Sequence, residues 1–250
     1  MKKILAVFAV LVGLSAGDCA RAQSEISVDV SVDAISGYIW RGGILGSDEA
    51  LVLQPSLTLG FGESGVAFNV WGSAFGMDRS APESTDQVDE LDFTLSYDTS
   101  LGEDGKVGLS LGFIEYTFPS LDAGTKHSEE AYGSLSFDNT IAPSITVYYD
   151  FGLIDDYYVT AGIGPEFPLG DADNAPVLGL SASVGFSGGG YDFSGGDSAG
   201  FNDVSVGASV GFTAGEISIS PYIGATFTDE KVGNTDDRAF WGGISIGFSK

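Results

Sequence analysis

Hydrophobic and polar residues alternate along most of the chain, and the pattern begins with residues 26–43. One face of this stretch is apolar and leads to Tyr38 and Trp40, whereas the other face carries two aspartates and Arg41. Alternation with a period of two residues is typical of a β-strand with one apolar and one polar side. The pattern predicts a single strand that is much longer than the roughly 5–6 residues of a typical soluble strand.

Eleven further segments repeat this design along the rest of the chain. They cover residues 51–61, 66–73, 90–97, 107–113, 130–137, 145–151, 157–167, 178–186, 203–212, 217–227 and 240–248. Most connections alternate between a short turn and a longer polar loop, although the one after the seventh segment is short. Outer-membrane barrels have an even number of strands, with short turns at one end and longer loops at the other. The sequence therefore predicts an all-β, 12-stranded antiparallel up-and-down transmembrane β-barrel.

Aromatic residues recur near both ends of the apolar face, as expected for rings that prefer the two membrane interfaces. This predicted aromatic girdle consists of Trp40, Phe61, Tyr97, Phe113, Phe137, Phe151, Phe167, Phe186, Phe212, Phe227 and Phe248. A soluble secreted β-sandwich is the alternative, but it would bury its apolar faces and gain nothing from aromatic residues at both rims. Three prolines, Pro55, Pro165 and Pro221, fall within predicted strands, where we expect bulges or positions near the rims.

The first 22 residues have the features of a secretory signal peptide. Lys2 and Lys3 precede an apolar run, and Ala20-Arg21-Ala22 forms a small-x-small cleavage motif directly before Gln23. The run is too short for a transmembrane anchor, which needs about 20 apolar residues. The domains are thus a cleaved signal peptide, 1–22, and a barrel, 23–250. The only cysteine, Cys19, lies in the signal peptide, so we expect no disulfide in the exported protein.

Export and a barrel pattern together predict a protein of the bacterial (Gram-negative) outer membrane, with both termini in the periplasm. The net charge of −25 argues against nucleic-acid partners, which require a basic surface. The expected partners are outer-membrane lipid and lipopolysaccharide, the barrel assembly machinery and a small polar solute.

A series of short motifs resembles the TorF-type porin family of outer-membrane β-barrels. The matching residues are Tyr38-Ile-Trp-Arg-Gly42, Gln54, Asn69-Val-Trp-Gly-Ser73, Glu90-Leu-Asp92, Gly112-Phe-Ile-Glu-Tyr-Thr-Phe-Pro119 and Glu130-Ala-Tyr-Gly133. They cover about the first half of the exported chain. The resemblance implies a barrel with a pore role and does not supply a substrate. Barrels of this kind commonly finish on an aromatic residue, whereas here Ser249 and Lys250 follow Phe248.

If the apolar face meets lipid, the polar face lines the lumen. The last four predicted strands present mostly serine, glycine and threonine inward, which leaves room for water. Larger inward side chains gather toward the outer mouth on the first eight strands. These candidate lumen or constriction residues are Arg41, Asn69, Trp71, Glu90, Asp92, Tyr116, Glu130, Tyr132, Tyr148, Asp150 and Tyr158.

Arg41 stands among these acidic residues and has two interpretations. It can pair with Asp92 or Glu130 and fix the wall, because buried charges need partners. Alternatively, it forms a constriction at which Arg41 and the aromatic residues meet a small polar solute. Acidic side chains in a pore favour cations.

The sequence thus predicts a narrow passive pore for small polar or cationic solutes, not an enzyme, with no cofactor, no catalytic residues and no metal ligands. The first alternative is a structural or surface-interaction barrel whose lumen is closed by side chains. A weaker one is a loop-based outer-membrane hydrolase that uses His127. Acidic loops could bind calcium, but none has the spacing of a dedicated calcium motif. The glycine-rich segment 187–201 is predicted to be a flexible loop, because no strand–helix context suits a phosphate site.

Overall fold

A computed structural model describes residues 26–45, 51–74, 89–102, 105–119, 127–172, 174–233 and 236–250. The predicted signal peptide lies outside these residues. The strands are β1 (Ile26–Ile35), β2 (Tyr38–Trp40), β3 (Gly43–Leu45), β4 (Val52–Phe61), β5 (Val66–Ser73), β6 (Glu90–Leu101), β7 (Val107–Thr117), β8 (His127–Phe137), β9 (Pro143–Asp150), β10 (Asp156–Ile163), β11 (Glu166–Pro168), β12 (Val177–Ser187), β13 (Gly200–Ala214), β14 (Ile217–Thr228) and β15 (Arg238–Ser249).

All strands except β2 and β3 form one closed antiparallel wall. Neighbouring strands pair in chain order, and the ring closes because β1 pairs with β15. Both β10 and β11 pair with β12 and continue each other, so the described residues contribute twelve wall strands. This confirms the predicted all-β, 12-stranded barrel. No described helix is long and apolar enough to cross a membrane.

Side chains alternate between the two faces of the wall, as the sequence pattern predicts. Outward side chains are exposed along the strands, while many inward ones are buried. Ten of the predicted girdle residues lie on the outward face: Phe61, Tyr97, Phe113, Phe137, Phe151, Phe167, Phe186, Phe212, Phe227 and Phe248. Trp40 does not belong to this girdle, because it is part of a hairpin inside the barrel.

Two of the three prolines interrupt a hydrogen-bond ladder on one side only, and the third lies between two strand segments. Pro55 pairs with Val32 of β1, but the β4–β5 ladder stops beside it. Pro221 likewise pairs with Ile244 of β15, whereas the β13–β14 ladder has a gap at this position. Pro165 separates β10 from β11. Because proline has no N–H to donate, a closed barrel accepts it where one ladder is allowed to break.

The long first strand predicted from the sequence is wrong in its second half. The wall strand ends at Ile35, and β2 and β3 form a separate two-stranded sheet. The turn between them contains Arg41, with φ +48°, and Gly42, with φ +81°. The alternating pattern continues through β2, so sequence periodicity does not reveal that the chain has left the wall.

Apolar residues inside the lumen explain where this hairpin packs. Ile35 and Val52 are inward-facing and buried, and Tyr38 of the hairpin is buried against them. Partly buried side chains surround this cluster: Trp40, Leu45, Trp71, Tyr222 and Trp241. Burial of apolar surface thus favours a hairpin folded into the barrel over one projecting into solvent. We call residues 38–45 the lumen hairpin.

Candidate functional site

The tip of the lumen hairpin is fixed by an ion pair. Nη2 of Arg41 lies 2.7 Å from Oε1 and 2.6 Å from Oε2 of Glu130 on β8. The two side chains are 7% and 0% exposed, so this pair is shielded from water. The Arg41 carbonyl also accepts a 2.7 Å hydrogen bond from Nδ2 of Asn202. Of the two carboxylates expected from the sequence as partners, Glu130 forms the ion pair.

Aromatic rings surround the Arg41 guanidinium group. Its central carbon lies 4.5 Å from the ring centre of Tyr148, 4.6 Å from Trp40, 5.0 Å from Tyr158 and 5.4 Å from Tyr191. Nη1 donates a hydrogen bond to the Tyr191 hydroxyl. Such cation–π contacts add attraction when the cation is desolvated, as it is here. The cation is therefore enclosed by one carboxylate and four rings.

Further hydrogen bonds hold the residues around Arg41 in place. The Tyr116 hydroxyl donates to Oε1 of Glu130 over 3.0 Å. On the opposite side, Tyr158 donates to Oδ2 of Asp203 over 2.7 Å, and Asn202 donates to the same oxygen over 3.0 Å. A buried network in which the members have partners is rigid, and removing one member leaves the others unpaired.

Tyr191 is the main site residue that sequence analysis missed. It belongs to the glycine-rich segment predicted to be a flexible loop, yet its side chain is 1% exposed and faces Arg41. The segment has its own internal hydrogen bonds: Asp192 accepts from the Ser194 hydroxyl and from the backbone N–H of Ser198. These bonds hold the pKa of Asp192 at about 2, below its ordinary value. The available signal was a stretch in which aromatic residues, Tyr191 and Phe193, stand among many glycines.

A neighbouring loop at the same end of the barrel packs against this segment. Lys231 lies in the connection between β14 and β15, and its Nζ donates to the carbonyl oxygens of Ser198 and Gly200 over 3.1 and 3.2 Å. Burial lowers the pKa of Lys231. The glycine-rich segment and the β14–β15 connection are thus held together by hydrogen bonds close to Tyr191.

A second group of predicted lumen residues lies beside the body of the hairpin. Glu90 and Asp92 of β6 are 5% and 8% exposed and face inward. Tyr38 donates a hydrogen bond to Glu90 and its ring lies 5.6 Å from that of Trp71. In the described part of the chain, Oδ1 of Asp92 has no hydrogen-bond partner.

Two predicted site residues have local structural partners away from Arg41. Asn69 donates to the hydroxyl groups of Ser56 and Thr58, each over 2.8 Å, and so joins β5 to β4. Asp150 accepts from the Ser128 hydroxyl over 2.7 Å and from backbone N–H groups of the short turn after β9. Their contacts are those of wall and turn residues.

The structure thus sorts the eleven lumen candidates into distinct groups. Five of them meet at the hairpin tip: Arg41, Tyr116, Glu130, Tyr148 and Tyr158. Tyr132 extends the aromatic side of this group, since its ring lies 5.7 Å from that of Tyr148. Trp71, Glu90 and Asp92 contact or flank the hairpin body, while Asn69 and Asp150 lie apart.

A cavity of about 380 Å³ lies beside the hairpin tip and is bounded by several wall strands. Its lining combines the rings of the tip with polar groups from the opposite wall: Thr160, Ser183, Asp203, Ser205 and Thr226. A second cavity of about 340 Å³ lies beside β6, β7 and β8 at the end of the barrel that carries the chain termini, and it is lined mainly by small hydroxyl-bearing residues and Asp98. Both cavities carry hydroxyl and carboxylate groups that can form hydrogen bonds with water.

Trp241 bounds the first cavity and depends on a glycine opposite it. Gly224 is the direct cross-strand partner of Trp241, and a Cβ added there would overlap the indole ring. Trp241 Nε1 also donates to Oγ1 of Thr226 over 3.1 Å. We expect Gly224→Ala to displace the ring and lower the free energy of unfolding by about 1–3 kcal/mol, as overpacking typically does. Urea unfolding of the detergent-solubilised barrel measures this loss.

Gly164→Ala is the matched control for that prediction. A Cβ at Gly164 would meet no atom closer than 4.0 Å, so its unfolding curve should match that of the parent chain. Equal stability of the two variants would show that Trp241 is not held in the position described.

The sequence of this barrel matches a protein-family model over most of its length. Residues 19–249 match the family model described as "Bacterial protein of unknown function (Gcw_chp)". The chain belongs to the Gcw_chp family. None of the curated proteins matches the sequence.

Solved structures share the fold of this Gcw_chp protein at low sequence identity. The KdgM porin has a TM-score of 0.53 at 10% identity, with 89% of this chain and 98% of that chain covered. The COG4313 outer membrane channel from Pseudomonas putida F1 has a TM-score of 0.51 at 10% identity, with coverages of 94% and 98%. The NanC porin has a TM-score of 0.50 at 12% identity, with coverages of 89% and 98%. These similarities establish an outer-membrane-type barrel fold. The resemblance to TorF-type porins stays a prediction.

Proposed function

We propose that this Gcw_chp protein is a passive channel of the bacterial outer membrane for small polar solutes, neutral or cationic. The observation that carries the proposal is the cavity of about 380 Å³ beside Arg41, which is lined by hydroxyl and carboxylate groups as well as aromatic rings, inside a closed transmembrane-type wall. A solute that crosses the lumen passes the hairpin tip. The hairpin occupies lumen space, so the channel is narrow.

The charges around the hairpin favour cations over anions. Glu130 neutralises Arg41, while Asp203 lines the cavity and forms no ion pair within the described part of the chain. Acidic groups along a pore attract cations and repel anions. A paired arginine does not offset this effect. The named porins and the channel with the same fold add support, although their low identity does not identify a solute.

The arrangement of connections supports an orientation with both termini in the periplasm. Two of the short turns, at residues 62–65 and 215–216, lie at the end of the barrel that carries the chain termini. Barrels of this type keep short turns on the periplasmic side. Lipid and lipopolysaccharide would then surround the outward face, and the barrel assembly machinery would insert the exported chain.

Recordings from the purified protein in planar lipid bilayers test this proposal. We expect discrete conductance steps. Under a salt gradient, we expect the sign of the reversal potential to show that the channel prefers cations. The measurement should use barrels whose folding is shown by a heat-dependent shift in gel mobility. Absence of conductance from folded protein in several independent preparations would contradict the channel.

A barrel closed by its own side chains is the second candidate. The buried network around Arg41 favours it, since four rings and a carboxylate fill the space at the hairpin tip. Such a barrel would have a structural or surface-interaction role and would not conduct while the hairpin is in place. Conductance that appears only after removal of the hairpin would support this second function.

A further inference from the structure

Glu115, His127 and Glu129 converge on the outward face of β7 and β8. Nδ1 of His127 lies 3.3 Å from Oε1 of Glu129 and 3.7 Å from Oε1 of Glu115. One potential ligand atom from each residue lies within 4.8 Å of the others. The imidazole is 60% exposed, so a solute in the outer medium can reach it.

The two glutamates form an unfavourable pair by themselves. Glu115 and Glu129 are direct cross-strand partners, and both side chains point outward. Like charges directly opposite each other destabilise a sheet. A cation between the two carboxylates removes this repulsion, and His127 supplies a third donor beside them.

The cluster occupies a particular height on the barrel. The next outward-facing residue on β7 is Phe113 of the girdle, and its partner on β8 is Ala131. Girdle aromatics mark the membrane interface. The three polar side chains therefore lie just beyond the apolar band, toward the outer loops, where water and lipid headgroups have access.

We propose that Glu115, His127 and Glu129 form a binding site for a divalent ion of the zinc class. Zinc binds histidine nitrogen and carboxylate oxygen at about 2.0–2.2 Å, so tetrahedral ligand atoms lie about 3.4 Å apart. The nitrogen–oxygen separations of 3.3 and 3.7 Å agree with this spacing. Three protein ligands leave a fourth position open for an oxygen of water or of a lipid phosphate.

The donor set distinguishes this site from the acidic loops. Imidazole suits zinc and its transition-metal neighbours, whereas carboxylates with water suit calcium and magnesium. His127 is the only histidine of the chain, so nitrogen ligation through an imidazole reports on this site. The proposal is independent of whether the lumen conducts.

Equilibrium dialysis against Zn²⁺ tests the site in the full exported chain, purified without a polyhistidine tag. We expect the parent chain to bind about one Zn²⁺ ion per barrel. His127→Ala and Glu129→Gln should bind Zn²⁺ at least tenfold more weakly. Glu216→Gln serves as the matched control, because Glu216 is exposed in an inner turn. The control should bind zinc as the parent chain does.

Nitrogen chemical shifts of the single imidazole provide a second measurement. Zinc should move the Nδ1 resonance of His127 in the parent chain and in Glu216→Gln, and should not move it in Glu129→Gln. Zinc binding that is unchanged in His127→Ala, or a parent chain that binds none, would overturn the proposal. In that case His127 acts only as the ion-pair partner of the two glutamates.

Discussion

Replacing the lumen hairpin, residues 38–45, by a short glycine–serine linker is expected to raise single-channel conductance several-fold. The hairpin fills part of the lumen, and its removal takes the side chains of Tyr38, Trp40 and Arg41 out of the lumen. The wall should still close, because β1 pairs with β15 and β4 through residues that end at Ile35. Single-channel recordings in planar bilayers measure the change.

The control for this deletion carries the same linker inserted into the exposed turn at residues 169–172. It keeps the hairpin and should conduct like the parent chain. An unchanged conductance in the deletion variant, with folding confirmed by gel mobility, would show that the hairpin does not limit the lumen.

Replacing Arg41 by methionine is expected to destabilise the barrel by about 3–5 kcal/mol, because it leaves a buried carboxylate without its partner. Glu130 is fully buried, and within the described part of the chain Arg41 is its ion-pair partner. The double variant Arg41→Met/Glu130→Gln should recover much of the loss, since no uncompensated charge remains. Urea unfolding of the purified barrel in detergent measures all three free energies.

Arg41→Lys separates charge from shape in this prediction. Lysine keeps the positive charge but lacks the planar guanidinium that stacks on the surrounding rings. We expect an intermediate loss of stability. Methionine and lysine variants as stable as the parent chain would mean that Glu130 does not depend on Arg41.

The wall of this protein follows from its sequence for a simple physical reason. In a membrane barrel, strand after strand must present apolar side chains to lipid, so each carries the same period-two pattern. Aromatic residues such as Phe113 and Phe227 add the interface positions. The twelve strands, their lipid and lumen faces and their pairing order could therefore be predicted from local patterns. The prolines indicated bulges or rim positions, and only the structure shows that the β13–β14 ladder opens at Pro221.

Part of the lumen site could be predicted in the same way. The inward positions of Glu130 and Tyr148 follow from alternation, and a buried arginine predicts a carboxylate partner. The choice of Glu130 over Asp92 does not follow, since it depends on where the hairpin tip comes to lie. The meeting of Glu115 with His127 likewise depends on strand register.

The sequence by itself determined the strand pattern, the two faces of the wall and the strongly acidic charge of the chain. It also predicted an export signal. Only the tertiary structure decided that residues 38–45 leave the wall, that Trp40 lies in the lumen instead of the girdle, and that Tyr191 joins Arg41 from a distant loop. Alternation describes a residue's face relative to its own strand. Long-range packing of apolar side chains around Ile35 and Val52 decides whether that strand stays in the wall.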